Sequence, residues 1–220
     1  MLRAVLFDMD GVVADTEEMK ARAHVIAATE LGGNARPDMY EAVIGESFEI
    51  VRDTFVARSG AQACPDAYLE GYSKEYARLL GAGVQPVRGV NALIDGLLDR
   101  GVGLAIVTSS ERWAAEMIAA QLGLQDVFAV CIANGDFARP KPAPDPYLAA
   151  MRRLGCTPEV AVAIEDTRAG IDAAVAAGIP VIALRHRLNR RQAFAGVIEL
   201  ASLEPPERVL SLLADAMQRR

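Results

Sequence analysis

The chain has 220 residues, 52% of them hydrophobic and 24% charged, which excludes disorder and provides for one large domain or a core with a small satellite. Its 29 acidic residues against 23 Lys+Arg give a formal charge of −6, the wrong sign for a general nucleic-acid or membrane-surface binder. Only three of those cations are lysines (Lys20, Lys74 and Lys141), so each of them invites a reason.

In chain order, Leu2 to Phe7 is an apolar, partly β-branched run ending in Asp-Met-Asp-Gly, the pattern of a buried strand entering a loop. From about Thr16 to Gly83 no strand pattern occurs. Asp15 or Thr16 with Glu18 predicts a helix N-terminus, and Met19, Ala23, Ile26 and Ala27 share helical spacing. Ser47–Arg58 and Pro65–Leu80 are further helical segments, and Gly81-Ala82-Gly83 with Pro86 marks a hinge. Val90, Leu93, Ile94, Leu97 and Leu98 then line one helical face. Tyr147, Leu148, Met151 and Leu154 line another, capped by Gly155, and Leu122–Gly123 and Ala177–Gly178 close two more helices. Between these helices lie four apolar runs: Leu104–Val107, Val127–Ile132, Val160–Ile164 and Pro180–Leu184. Helices alternating with wholly apolar strands predict an α/β fold, a doubly wound parallel sheet covered on both faces. The expected division is a discontinuous core, residues 1–15 and 84–220, with a small α-helical insertion over 16–83 after the first strand.

Ligands of open parallel sheets sit outside the carboxyl ends of the strands. Those ends supply Asp8, Asp10 and Gly11, then Thr108, Ser109 and Ser110, then Arg139-Pro140-Lys141-Pro142, then Glu165-Asp166-Thr167. Asp8, Asp10, Glu165 and Asp166 would repel one another unless a cation sat among them, and oxygen donors without His or Cys suit Mg²⁺. A divalent ion with Lys141 and Thr108 makes an electropositive socket fit for a phosphoryl group. No Walker A sequence is present, so a carboxylate such as Asp8 is the available nucleophile, with Asp10 placed to serve as acid and base.

These motifs, Leu6-Phe7-Asp8-Met9-Asp10-Gly11-Val12, Thr108-Ser109-Ser110, Lys141-Pro-Ala-Pro-Asp145-Pro-Tyr147 and Glu165-Asp166-Thr167-x-x-Gly170, resemble the four signatures of the haloacid dehalogenase (HAD) superfamily. They follow the family's order and spacing from residue 3 to about 185, and the insertion resembles the small C1 cap of the β-phosphoglucomutase and sugar-phosphatase branch. The resemblance implies a Rossmann-like core and a Mg²⁺-dependent phosphatase acting on a sugar or polyol phosphate through an aspartyl-phosphate. It assigns Asp8 as nucleophile and metal ligand, and Asp10 as acid/base with its backbone carbonyl on the metal. Thr108, Ser109 and Lys141 become phosphate-binding, Asp166 a metal ligand, and Glu165 its neighbour in or beside the metal shell. The dehalogenases proper lack a carboxylate at the position of Asp10, which disfavours dehalogenation.

Substrate identity resides in the insertion and the rim: Glu17, Lys20, Glu46, Ser47 and Phe48 on the former, Ser110 and Arg112 on the latter. β-Phosphoglucomutase has a histidine at the position of Lys20 and, at that of Phe48, an arginine for the distal phosphate. Both departures make a phosphosugar mutase the alternative rather than the first reading. Phosphonate hydrolysis through a Schiff base on Lys20 or Lys74, or binding without turnover, are further alternatives. Asp145 reads as a helix N-cap, Trp113 as packing, and Gly101-x-Gly103 as a turn preceding its strand. Arg185-His186-Arg187-Leu-Asn-Arg190-Arg191 reads as a solvated loop, His24 and His186 as isolated, and Cys64, Cys131 and Cys156 as free buried thiols. With no signal-peptide pattern and no stretch of 18 apolar residues, the expectation is a cytoplasmic monomer with a small phosphorylated metabolite as its partner and neither nucleic acid nor membrane.

Overall fold

A computed structural model of the chain describes residues 1–217. The chain divides into two compact units, Met1–Asp15 with Gln85 onward, and Thr16–Val84.

In the first unit, six strands form one sheet in the order β3-β2-β1-β4-β5-β6. These are β1 (Ala4–Phe7), β2 (Gly103–Val107), β3 (Val130–Ile132), β4 (Ala161–Glu165), β5 (Val181–Leu184) and β6 (Ile198–Leu200). Every pair is parallel, with Phe7 opposite both Ile106 and Ile164. Helices α4 (Val90–Leu98), α5 (Arg112–Leu122), α6 (Asp145–Leu154), α7 (Arg168–Ala176) and α8 (Pro206–Ala216) make or follow the crossovers. Val5, Leu6, Phe7, Val162, Ala163 and Ile164 are wholly buried, as a sheet covered on both faces demands. Because parallel strands all point one way, every β-to-α loop of this unit opens at the same edge.

Local chemistry sets several element ends. Gly123 and Gly155 close α5 and α6 in the left-handed region, and Thr167 caps α7 by accepting the Gly170 amide at 3.1 Å. Other expectations change. The third strand shortens from Val127–Ile132 to β3, since Ala129 is exposed and Val127 and Phe128 are half-buried. Asp145 is the first residue of α6, not its cap, and pairs with Arg139 at 2.8 Å. Leu98 turns to solvent instead of joining the α4 face, Trp113 is exposed rather than packed, and Cys64 is exposed.

The second unit is helical: α1 (Glu17–Glu30), α2 (Phe48–Ser59) and α3 (Pro65–Gly81), with a short 3-10 turn at Pro37–Ala42. Thr16 precedes α1 without a side-chain capping bond. The buried face of α1 is Ala21, Ala23, His24, Ala27 and Ala28, while Met19 and Ile26 are only half-buried. His24 rather than a methionine or isoleucine centres this unit. Its ring lies among those of Tyr40, Phe48, Phe55, Tyr68 and Tyr72, at centroid distances from 4.3 to 5.9 Å.

Candidate active site

Asp8 follows β1 directly, its amide donating to Ile164 O at 2.9 Å, so the sheet ladder itself fixes where its side chain begins. The chain then turns sharply. The Gly11 amide bonds Ala14 O at 2.8 Å, and the Val13 and Ala14 amides bond Met9 O, each at 2.9 Å. Gly11 sits at φ +80°, where a side chain would be strained, and a Cβ would also overlap the Asp166 carboxylate. The glycine therefore lets the first loop close onto the end of β4 while bringing Asp10 back to the same edge.

Lys141, from the loop before α6, is buried at the centre. Its Nζ donates to Asp8 Oδ1 and Glu165 Oε1 at 2.6 Å each, and to Val107 O at 2.8 Å. All three ammonium donors are thus used, and the head is fixed between the ends of β1, β2 and β4. Burial opposes its charge, but Asp8 and Glu165 outweigh that and raise the lysine above its ordinary value. A compact ammonium fits this three-way socket, whereas a guanidinium would bring five donors in a rigid fork.

Glu165 is fully buried and multiply bonded. Besides Lys141, its Oε1 accepts the Tyr147 hydroxyl at 2.6 Å, and its Oε2 accepts the Asp166 amide at 3.2 Å. Room for it comes from Gly170 on α7, where any Cβ would overlap the carboxylate. The Glu-Asp-Thr-x-x-Gly spacing is explained: Thr167 caps the helix through Gly170, and Gly170 leaves space for Glu165. Tyr147, an apolar member of the α6 face in the sequence, thus meets the cluster through its hydroxyl.

Asp8, Glu165 and Asp166 each offer an oxygen within 4.8 Å of the others, all buried. With Asp10 they make four buried carboxylates, and Lys141 is the buried cation among them. Burial raises the Asp8 carboxyl; Lys141 opposes this, while Glu165 and Asp10 add to it. A cluster of hard oxygen donors, short of positive charge, fits a small divalent cation such as Mg²⁺.

Around this centre, Thr108 is buried and its Oγ1 accepts the Ser110 amide at 3.0 Å. Ser110 Oγ donates to Asp10 Oδ2 at 2.6 Å, linking the ends of β1 and β2. Ser109 is exposed beside them. Arg112 is engaged elsewhere, with Asp136 and more distantly with Glu116 at 3.8 Å. Glu17 and Lys20 belong to the helical unit, where Lys20 Nζ meets Glu17 Oε1 at 3.3 Å. The segment after β5 is not a solvated loop. Arg185 stacks on Phe194 at 3.7 Å and pairs with Glu199 at 2.7 Å, Asn189 is fully buried, and His186 Nε2 lies 2.8 Å from Asp166 Oδ2.

A parallel α/β core with paired aspartates, a buried lysine and an acidic cluster at its strand ends defines a hydrolase of the phosphoryl-transfer type. The chain belongs to the haloacid dehalogenase-like hydrolase family, whose profile matches residues 5–184. It is 27% identical to a phosphorylated carbohydrates phosphatase from Thermotoga maritima, over 98% of this chain and 100% of that protein. It is 32% identical to the protein CbbY of Rhodobacter capsulatus, over 88% of this chain and 90% of that one. Among solved structures it is similar to CbbY from Rhodobacter sphaeroides, crystallised in complex with xylulose-(1,5)bisphosphate. That match has a TM-score of 0.82 and 28% identity, covering 92% of this chain and 95% of the other. Among the described residues, no helix is long and apolar enough to cross a membrane.

Proposed function

We propose that the chain is a Mg²⁺-dependent phosphoric monoester hydrolase that removes phosphate from a small phosphorylated carbohydrate through an aspartyl-phosphate on Asp8. The observation that carries the reading is Lys141 Nζ held 2.6 Å from Asp8 Oδ1 inside a buried carboxylate cluster. The relatives named for phosphorylated carbohydrates, and the CbbY complex with a sugar bisphosphate, support the substrate class.

Asp8, Asp166 and the backbone carbonyl of Asp10 would hold the cation, with Glu165 beside them. Glu165 already accepts hydrogen bonds from Lys141, Tyr147 and the Asp166 amide, so its chief role in this reading is to aim the lysine. The ion's contribution is charge neutralisation on the phosphoryl oxygens. The chain's own residues do the rest. An Asp8 carboxylate oxygen attacks phosphorus and the ester P–O bond breaks. Lys141, exchanging its bond to Asp8 for one to a phosphoryl oxygen, and the Thr108 hydroxyl bind the transferring group, with Ser109 at the rim, and Asp10 gives its proton to the departing alkoxide. Asp10, now ionised, then takes a proton from the water that attacks phosphorus, and inorganic phosphate leaves Asp8 free again.

Phe48 supports hydrolysis over mutase chemistry, because it occupies the sequence position at which β-phosphoglucomutase, which the chain resembles, has an arginine for the distal phosphate; here an aromatic ring packs against Tyr72 at 5.1 Å. The test is phosphate release from a panel of sugar phosphates, with Mg²⁺ and with chelator. Release should require the metal and fall at least about a thousandfold in Asp8→Asn. Metal-independent release, or turnover retained in Asp8→Asn, overturns the proposal. Isomerised sugar phosphate with no net phosphate would replace it with a mutase.

A further inference from the structure

The segment after β5 supplies a group that none of the four sequence motifs contains. We propose that His186 is a positioning residue for Asp166, fixing that carboxylate for the divalent cation and so setting the cation's affinity. The inference rests on the metal reading given above.

Its ground is a closed hydrogen-bond circuit. His186 Nε2 lies 2.8 Å from Asp166 Oδ2, and the Leu188 amide donates to His186 Nδ1 at 3.3 Å. Because a backbone N–H can only donate, Nδ1 is the acceptor nitrogen and Nε2 carries the hydrogen that Asp166 receives. Asn189 fastens the same segment. Its Oδ1 accepts the His186 amide at 2.9 Å, and its Nδ2 donates to Asp166 O at 2.7 Å and Leu184 O at 2.9 Å. One orientation of the carboxamide satisfies all three partners, and the side chain is fully buried. The histidine is therefore tied through Asn189 to the backbone of the very residue whose carboxylate it holds. From the other side, Gly11 closes on the pair, since a Cβ there would overlap Asp166 Oδ2 and stand 3.2 Å from His186 Nε2.

The choice of side chain fits the task. Arg185 and Arg187 flank the position, yet an imidazole meets the carboxylate. A guanidinium there would cancel the charge that draws the cation, whereas a neutral N–H orients the carboxylate and leaves its charge in place. Holding one oxygen in advance removes torsional freedom that cation binding would otherwise have to freeze. Outer partners of this kind change metal affinity by about 10–100-fold.

Calorimetric titration of the metal-free protein with Mg²⁺ tests the inference, using wild type, His186→Ala and His186→Gln, each with its metal-free melting temperature. The alanine variant should bind Mg²⁺ about 10–100-fold more weakly at an unchanged metal-free melting temperature. The glutamine variant, whose amide N–H can stand in for Nε2, should recover most of the loss. Equal Mg²⁺ affinity in folded wild type and His186→Ala overturns the inference and leaves the metal reading intact. A weakened alanine variant that also melts earlier without metal, and is not rescued by glutamine, overturns it in favour of a structural role. No Mg²⁺ binding by wild type sinks the metal reading itself, and this inference with it.

Discussion

Ser110 shows how much can depend on one hydroxyl. Its Oγ donates to Asp10 Oδ2 at 2.6 Å, and Asp10 is the proposed proton donor to the leaving alkoxide. If the hydroxyl holds Asp10 in reach, Ser110→Ala should lower kcat on sugar phosphates by about tenfold or more, within the range of general-acid effects. In the first step, read as the pre-steady-state burst of released leaving group, the loss should be much smaller with p-nitrophenyl phosphate, whose leaving group departs without a proton, and Ser110→Thr should restore activity. Equal losses with both substrates in that first step would show that Ser110 does not act through proton donation by Asp10. At this scale the sequence is a partial guide. Asp8, Asp10, Lys141, Glu165 and Asp166 are visible because acids and a lysine at the ends of apolar runs have few structural reasons to be there. The contacts that Tyr147 and His186 make with the cluster are not visible. Each side chain meets the cluster through a single atom, from helix α6 and from the loop after β5, and neither periodicity nor spacing reports a contact between distant segments. Only the hydroxyl on an otherwise apolar helix face hinted at the first.

The elements carry the site because their packing leaves little room for error. Helix α7 must begin close under β4, with Thr167 capping and Gly170 facing the Glu165 carboxylate without a side chain. Gly170→Ala would intensify the helix propensity of α7 by up to about 1 kcal/mol in isolation. In the protein the new methyl overlaps Glu165, so the expected result is the opposite: a lower melting temperature, and reduced kcat as Lys141 loses its aim. Thermal melts and phosphate-release kinetics check both, and a stabilised, fully active variant would refute the packing argument. Thr167→Ala, which removes the cap bond to Gly170, should cost about 1 kcal/mol in chemical denaturation. Element type was legible wherever an apolar run or a helical stripe was long. β6 escaped because Ile198–Leu200 is three residues with an exposed glutamate in the middle. The α1 face was misjudged because alanines and a histidine form it, and a scale of hydrophobic side chains prefers Met19 and Ile26.

For the molecule as a whole, the acidic excess has a local centre in the first unit, while the second holds a titratable group of the opposite kind. His24 is buried among five aromatic rings, its Nδ1 3.1 Å from the Tyr68 hydroxyl, which also donates to His24 O at 3.3 Å. Burial, reinforced by Lys20, lowers its pKa to about 3. The folded state therefore keeps the ring neutral where the unfolded chain, titrating near 6.5, takes up a proton. Since the unfolded state binds more protons below pH 6.5, His24 leaves stability untouched above that pH. Below it, stability falls by up to about 1.4 kcal/mol per unit until the pH nears 3, which amounts to roughly 2 kcal/mol by pH 5. The Tyr68 hydroxyl keeps the backbone carbonyl as a partner when the ring is replaced, so His24→Phe is a tolerable probe of this effect. Denaturant unfolding of wild type and His24→Phe between pH 7 and pH 4.5 should give curves that diverge on acidification, the variant's shallower by about one proton. Parallel curves would mean that His24 takes up its proton at the same pH in the folded and the unfolded chain, and that the aromatic cluster accommodates an imidazolium through its ring faces instead of excluding one.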